Sequence, residues 1–91
     1  MYTVKPTGKF QKDLRLAEIR DCNIGLLTAV IKKLVIGETL DRNHRNHPLK
    51  GKYKGCQECH ISPDWLLIYK INDDNRILYL VRTGTHADLF R

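Results

Sequence analysis

The chain has 91 residues, room for one domain, residues 1–91, around one hydrophobic core. With 42% hydrophobic and 29% charged residues its balance is globular, not disordered. Its longest apolar stretch, Ile24 to Ile36, is broken by Gly25, Thr28, Lys32 and Lys33, which excludes a membrane span, and a formal charge of +6 points to an anionic partner, RNA or an acidic protein.

Met1 to Phe10 is polar and basic and lacks the apolar core of a signal peptide, which places the protein in the cytoplasm, where thiols stay reduced. Tyr2 to Lys5 alternates as a short strand would, and Pro6 ends it. Thr7 is positioned to cap a helix whose stripe is Phe10, Leu14 and Ala17, widened by Leu16 and Ile19, ending near Asp21 and Cys22. Asn23 caps a second helix, with Ile24, Leu27, Val30, Ile31, Leu34 and Val35 at helical spacing and Gly37 just past its last turn. The short link predicts an antiparallel helical hairpin.

Glu38 to Pro48 reads as an irregular polar connection. From Gly51 the period changes to two: Tyr53, Gly55, Gln57, Cys59 and Ile61 share one strand face, and Lys52, Lys54, Cys56, Glu58 and His60 share the other. Ser62-Pro63-Asp64 is a turn. Trp65 to Ile71 is apolar on both faces, so it predicts a strand buried on both. Asn72 to Asn75 forms a hairpin loop, Ile77 to Thr83 a last strand broken by Gly84, and Ala87 to Phe90 a terminal turn. The expected fold is α+β in the order β-α-α-β-β-β: a two-helix hairpin on one face of a small, mostly antiparallel four-stranded sheet, with the other face partly open.

Between Arg42 and Lys54 lie five cations, two histidines and no acid. Lys50, Lys52 and Lys54 in this run are candidates for phosphate contacts. Cys56-x-x-Cys59-His60 is a literal haem-attachment pattern, but covalent haem attachment follows export, and the motif lies in a strand. Zinc would need further ligands, and the sequence offers no second Cys pair, although Cys22, His44 or His47 could be recruited; two half-buried strand thiols are the favoured reading. The expectation is therefore no metal and no cofactor, with both cysteines as packing residues.

In a meander, the C-terminal end of the last strand returns beside the Ser62–Asp64 turn. His60, Asp64, Arg82 and His86 can then converge at one edge, with His47 arriving from the preceding basic loop. Imidazoles, a carboxylate and a guanidinium suit RNA cleavage by its own 2′-OH. Histidine serves as acid or base because its ordinary pKa is about 6.5, and arginine forks onto phosphoryl oxygens.

His47-Pro48-Leu49-Lys50-Gly51, Cys59-His60-Ile61-Ser62-Pro63-Asp64-Trp65 and Arg82-Thr83-Gly84-Thr85-His86-Ala87-Asp88-Leu89-Phe90 resemble the YafQ-type toxins of the RelE/ParE toxin–antitoxin superfamily. The resemblance covers essentially the whole chain. It implies an mRNA interferase that cuts mRNA in the ribosomal A site, where contacts to 16S rRNA are expected, without metal and under the control of an antitoxin protein. It also implies acid–base roles for His47, His60, Asp64 and His86, a phosphate-binding role for Arg82, a substrate-positioning role for Phe90, and a place beside the site for Trp65. His86 is read as general acid, with Asp64 or His60 as base. The alternative is a ParE-like inhibitor of DNA gyrase, which would not need the histidine set.

Overall fold

The computed structural model describes residues 1–90. Strand β1 (Thr3–Pro6) leads into helix α1 (Gly8–Ile19) and helix α2 (Ile24–Val35); then come strands β2 (His47–Pro48), β3 (Gln57–Ser62), β4 (Trp65–Asn72) and β5 (Ile77–Gly84), and helix α3 (His86–Phe90). Both expected caps form. The Thr7 side chain accepts from the Phe10 N–H at 3.0 Å, and the Asn23 side chain from the Gly25 N–H at 3.1 Å. These bonds satisfy donors that a helix start leaves free.

The sheet has the order β1-β5-β4-β3-β2. It is antiparallel except that β1 runs parallel to β5, with Thr3 opposite Ile77. The α+β class holds, but there are five strands, not four: His47 and Pro48 pair with Glu58 and Gln57 inside what reads as an irregular connection. The strand expected from Gly51 starts only at Gln57. Gly51 and Gly55 adopt φ of 66° and 89°, a left-handed conformation that breaks extended pairing, and Gly51–Tyr53 closes into a 3-10 turn.

Strand β4 is buried on both faces from Trp65 to Tyr69. Leu67 and Tyr69 join Phe10, Ala17, Leu27, Val30, Leu34, Cys59, Ile61 and Leu78 under the helices. Leu66 and Ile68 lie on the other face with Tyr53 and Leu89. Each such aliphatic side chain contributes roughly 1.5–3 kcal/mol on burial. The second face is thus partly covered, by the 3-10 turn and α3, and open between them. Leu16 and Ile19 do not widen the buried stripe of α1: they are 40% and 81% exposed, and the helix packs through Phe10, Leu14 and Ala17. Cys59 is fully buried on the helix side and Cys56 packs on the other face, so the two thiols do not face a common ligand. Burial pushes the Cys59 thiol up to about 12, which keeps it protonated and inert. No helix among the described residues is long and apolar enough to cross a membrane.

Candidate functional site

Glu58 and His60 are two residues apart on β3 and so project from the same face. Opposite them on β4 stand Ile68 and Leu66, and beyond those on β5 stand Arg82 and Gly84. The site is built on this end of the open face.

Its centre is Glu58, 4% exposed. Its Oε1 lies 3.5 Å from Nε2 of both His47 and His60. His47 reaches it because β2 pairs its backbone with that of Glu58, and its Nδ1–H donates to the Pro48 carbonyl at 3.2 Å. A buried carboxylate is stabilised by such nearby donors and cations.

His86 opens α3. Its ring lies 5.7 Å from that of His60, centroid to centroid, and its Nδ1–H donates to Asp64 Oδ1 at 2.7 Å. The same oxygen accepts the His86 backbone N–H at 3.1 Å. Asp64 therefore fixes both the ring and the start of the helix. These bonds hold its carboxyl below the usual carboxylate range, so it is an ionised acceptor at neutral pH and leaves Nε2 of His86 facing outward. Helix α3 is held from its other side by a reciprocal cap. The Thr85 N–H donates to Asp88 Oδ2 at 3.0 Å and the Asp88 N–H to Thr85 Oγ1 at 3.1 Å. Arg20 at the end of α1 completes it at 2.6 Å from Asp88.

Arg82 is anchored from α1. Its Nε donates to Asp13 Oδ2 at 2.6 Å and its NH2 to Asp13 Oδ1 at 3.1 Å, while NH1 faces the Tyr53 hydroxyl at 3.3 Å. Asp13 also accepts the Thr83 N–H at 3.1 Å. It fills the edge of β5 beyond the residues that β1 covers, and the pairing raises the guanidinium pKa further. Tyr53 and Phe90 meet edge to face at 5.8 Å, and Phe90 lies 6.4 Å from His86. Phe90 is 48% exposed, a rim aromatic.

The structure thus brings His47, His60, Asp64, Arg82, His86 and Phe90 into one arc. Lys50, Lys52 and Lys54 are exposed around the 3-10 turn, with Lys52 Nζ 5.4 Å from the Tyr53 ring centre. Trp65 is the exception. It is 8% exposed in the helix-side core, and its indole N–H donates to Thr83 Oγ1 at 2.9 Å. It opens β4 one residue before Leu66 and so faces the layer opposite to the site; it supports β5 and is no substrate platform. Glu58, Asp13 and Tyr53 contact the predicted site residues, and the sequence reading did not name them as part of the site. Glu58 carries a legible signal, its two-residue spacing from His60. Asp13 carries none, because its contact depends on where α1 crosses β5. Glu58, His60 and His86 also offer ligand atoms within 4.8 Å of one another, a spacing that could seat a divalent ion.

Residues 2–91 match the model of a family described as bacterial toxin of type II toxin–antitoxin system, YafQ. The mRNA interferase toxin YafQ of Escherichia coli K12 is 39% identical over 89 residues, 96% of this chain and 94% of that protein. Among solved structures, the E. coli DinJ–YafQ complex superposes with a TM-score of 0.91 at 36% identity, covering both chains fully. A metal-bound toxin from Helicobacter pylori gives 0.93 at 39% identity, covering 99% of this chain and 100% of that one.

Proposed function

The chain belongs to the YafQ family of toxins of bacterial type II toxin–antitoxin systems, and from that membership we infer that it is an mRNA interferase, an endoribonuclease restrained by a cognate antitoxin protein. The single observation that carries the chemistry is the facing pair His60 and His86, each backed by a carboxylate.

The reaction is cleavage of the RNA strand by its own 2′-OH. His60 takes the 2′-OH proton, and Glu58 stabilises the imidazolium that forms. The 2′-oxygen attacks the adjacent phosphorus, and the bond from phosphorus to the 5′-oxygen breaks, leaving a 2′,3′-cyclic phosphate. The 5′-oxygen leaves with a proton from Nε2 of His86, whose Nδ1–H stays on Asp64. Asp64 therefore orients the acid, as a triad carboxylate does, and the base role falls to His60. Of the five N–H donors on Arg82, Asp13 holds two and Tyr53 faces a third; the remaining two are free for phosphoryl oxygens. His47 stands against the same carboxyl oxygen of Glu58 as His60 does. Proton transfer, charge neutralisation and orientation all have side chains assigned, so the reaction proceeds without metal. The lysines and Phe90 hold the flanking strand, and the substrate is mRNA in the ribosomal A site in the cytoplasm. The matched relatives are interferases and not gyrase inhibitors, which favours this reading over the alternative.

The test is primer extension on mRNA from cells expressing the chain. Wild type yields discrete cuts; His86→Ala and Arg82→Lys remove them while circular dichroism stays native. Toxin treated with chelator and then freed of it by gel filtration cleaves as fully as untreated toxin on programmed ribosomes in Mg²⁺ buffer, with no gain on adding a transition metal. Uncut mRNA with wild type, or full cutting by His86→Ala, would overturn the reading.

A further inference from the structure

His47 reaches Glu58 from a strand that has little to hold it. Strand β2 is two residues long, well short of what pairs stably by itself, and its second residue, Pro48, has no N–H to give. The His47 ring is half exposed, and its side-chain partners are Glu58 and the carbonyl of its own neighbour Pro48. Its place against Glu58 is therefore set by where its backbone lies. His44 hooks the preceding turn to the His60 carbonyl at 2.6 Å, but Arg45 then turns the chain at φ 45°. That leaves Asn46 as the last anchor before the histidine.

Asn46 is tied on the other side of the sheet. Gln57 stands opposite Pro48, and Tyr69 opposite Gln57, so both side chains lie on the helix side, the face away from Glu58. The Tyr69 hydroxyl donates to Asn46 Oδ1 at 2.6 Å, and Asn46 Nδ2–H donates to Gln57 Oε1 at 3.0 Å. The same Gln57 oxygen is 3.3 Å from the hydroxyl, so the three groups close a ring across β3 and β4. Tyr69 is 1% exposed in the core, on the central strand of the sheet. Burial pushes its hydroxyl up to about 12, so it stays a donor at neutral pH. A buried phenol needs an acceptor, and Gln57 alone would meet that need; the shorter bond goes instead to the residue beside His47.

We infer that Tyr69, acting through Asn46, is a positioning residue for His47: it holds the start of β2 from behind the sheet so that the imidazole meets Glu58 in front. The inference rests on the nuclease reading above, in which Glu58 serves the base His60, and it adds a residue that touches no RNA. Such a tie matters because a displacement of about 1 Å near reacting groups costs up to roughly 10²-fold.

Single-turnover cleavage on programmed ribosomes tests this for wild type, Tyr69→Phe, Asn46→Ala and Asn46→Asp, each with and without His47→Ala. Tyr69→Phe and Asn46→Ala are expected to lower the saturating rate roughly tenfold and to leave the half-saturating ribosome concentration unchanged. Asn46→Asp keeps an acceptor for the hydroxyl and recovers most of the rate. With His47 already replaced, none of the three costs anything further. A loss of equal size in both backgrounds would make the ring part of the core only and overturns the inference, as does a fully active Tyr69→Phe. Imidazole proton–nitrogen spectra of the free toxin judge the same tie without any cleavage. Tyr69→Phe should move the His47 ring signals and leave those of His86 in place; unmoved His47 signals overturn the positioning role. The nuclease reading survives each of these failures and falls only if wild type and His86→Ala leave the same RNA ends.

Discussion

Asp64 and Glu58 are both carboxylates beside imidazoles, yet their environments divide their work. Asp64 is two-thirds exposed and bonded twice by His86, whereas Glu58 is buried between two rings. A positioned general acid is worth roughly 10²–10⁴-fold, so His86→Ala is expected to lose that much in kcat. Asp64→Asn removes orientation but not the acid and, being open to water, should cost about tenfold, read in single-turnover cleavage. The Asp64 carboxyl is held below its ordinary value of 3.8. Its contribution is therefore complete above that value and fades only as pH falls below it. The deficit of Asp64→Asn relative to wild type should therefore shrink as pH falls below 3.8, read in single-turnover cleavage. Asp13→Asn keeps an acceptor for Thr83 but frees the Arg82 fork. A misplacement of this kind costs on the order of 10–10²-fold, with KM rising more than kcat falls if Arg82 grips ground-state phosphate as firmly as the transition state.

Helix α3 is five residues long, too short to persist by itself, and it carries His86 and Phe90. Its place depends on Gly84, where a Cβ would stand 2.9 Å from Asp88 Oδ2 and 3.0 Å from Asp88 Cβ. Gly84→Ala must therefore displace Asp88 and unseat the helix. The expected result is loss of cleavage with only about 1 kcal/mol lost in urea unfolding, the value of a helix cap. An active Gly84→Ala enzyme would show that α3 does not need this seat. How the elements arise was legible to different degrees. Helices α1 and α2 were readable from their caps and apolar spacing, and β4 from its unbroken apolar run. The two-residue β2 was not, because it exists only through pairing with β3, and no local propensity marks His47-Pro48 as extended. The place beside the site that the resemblance implies for Trp65 differs from its position here, because Trp65 shares the helix-side face of β4 with Leu67 and Tyr69.

At the scale of the molecule, the segment from Arg42 to Lys54 beside the open face carries five cations and no acid. RNA binding by the His86→Ala variant should weaken with salt, with log K falling linearly in log salt concentration. Each of Lys50, Lys52 and Lys54 that touches a phosphate should take about 0.7 off that slope when replaced by alanine; filter binding at several salt concentrations reads it, and an unchanged slope would remove that lysine from the interface. Composition and topology together made this charge and the convergence of the strand ends readable, whereas the Asp13–Arg82 tie was not, since it joins residues far apart across two layers. The parallel pairing of β1 with β5 has a temporal side as well. The first strand emerges from the ribosome long before Ile77 exists to meet it, and until then the sheet has no closing edge and α1 has no β5 to lie against. Loop closure of that length is slow compared with local helix formation. A nascent chain therefore carries its helices early and its chemistry last, so its synthesis is complete before it can cut the message that encodes it.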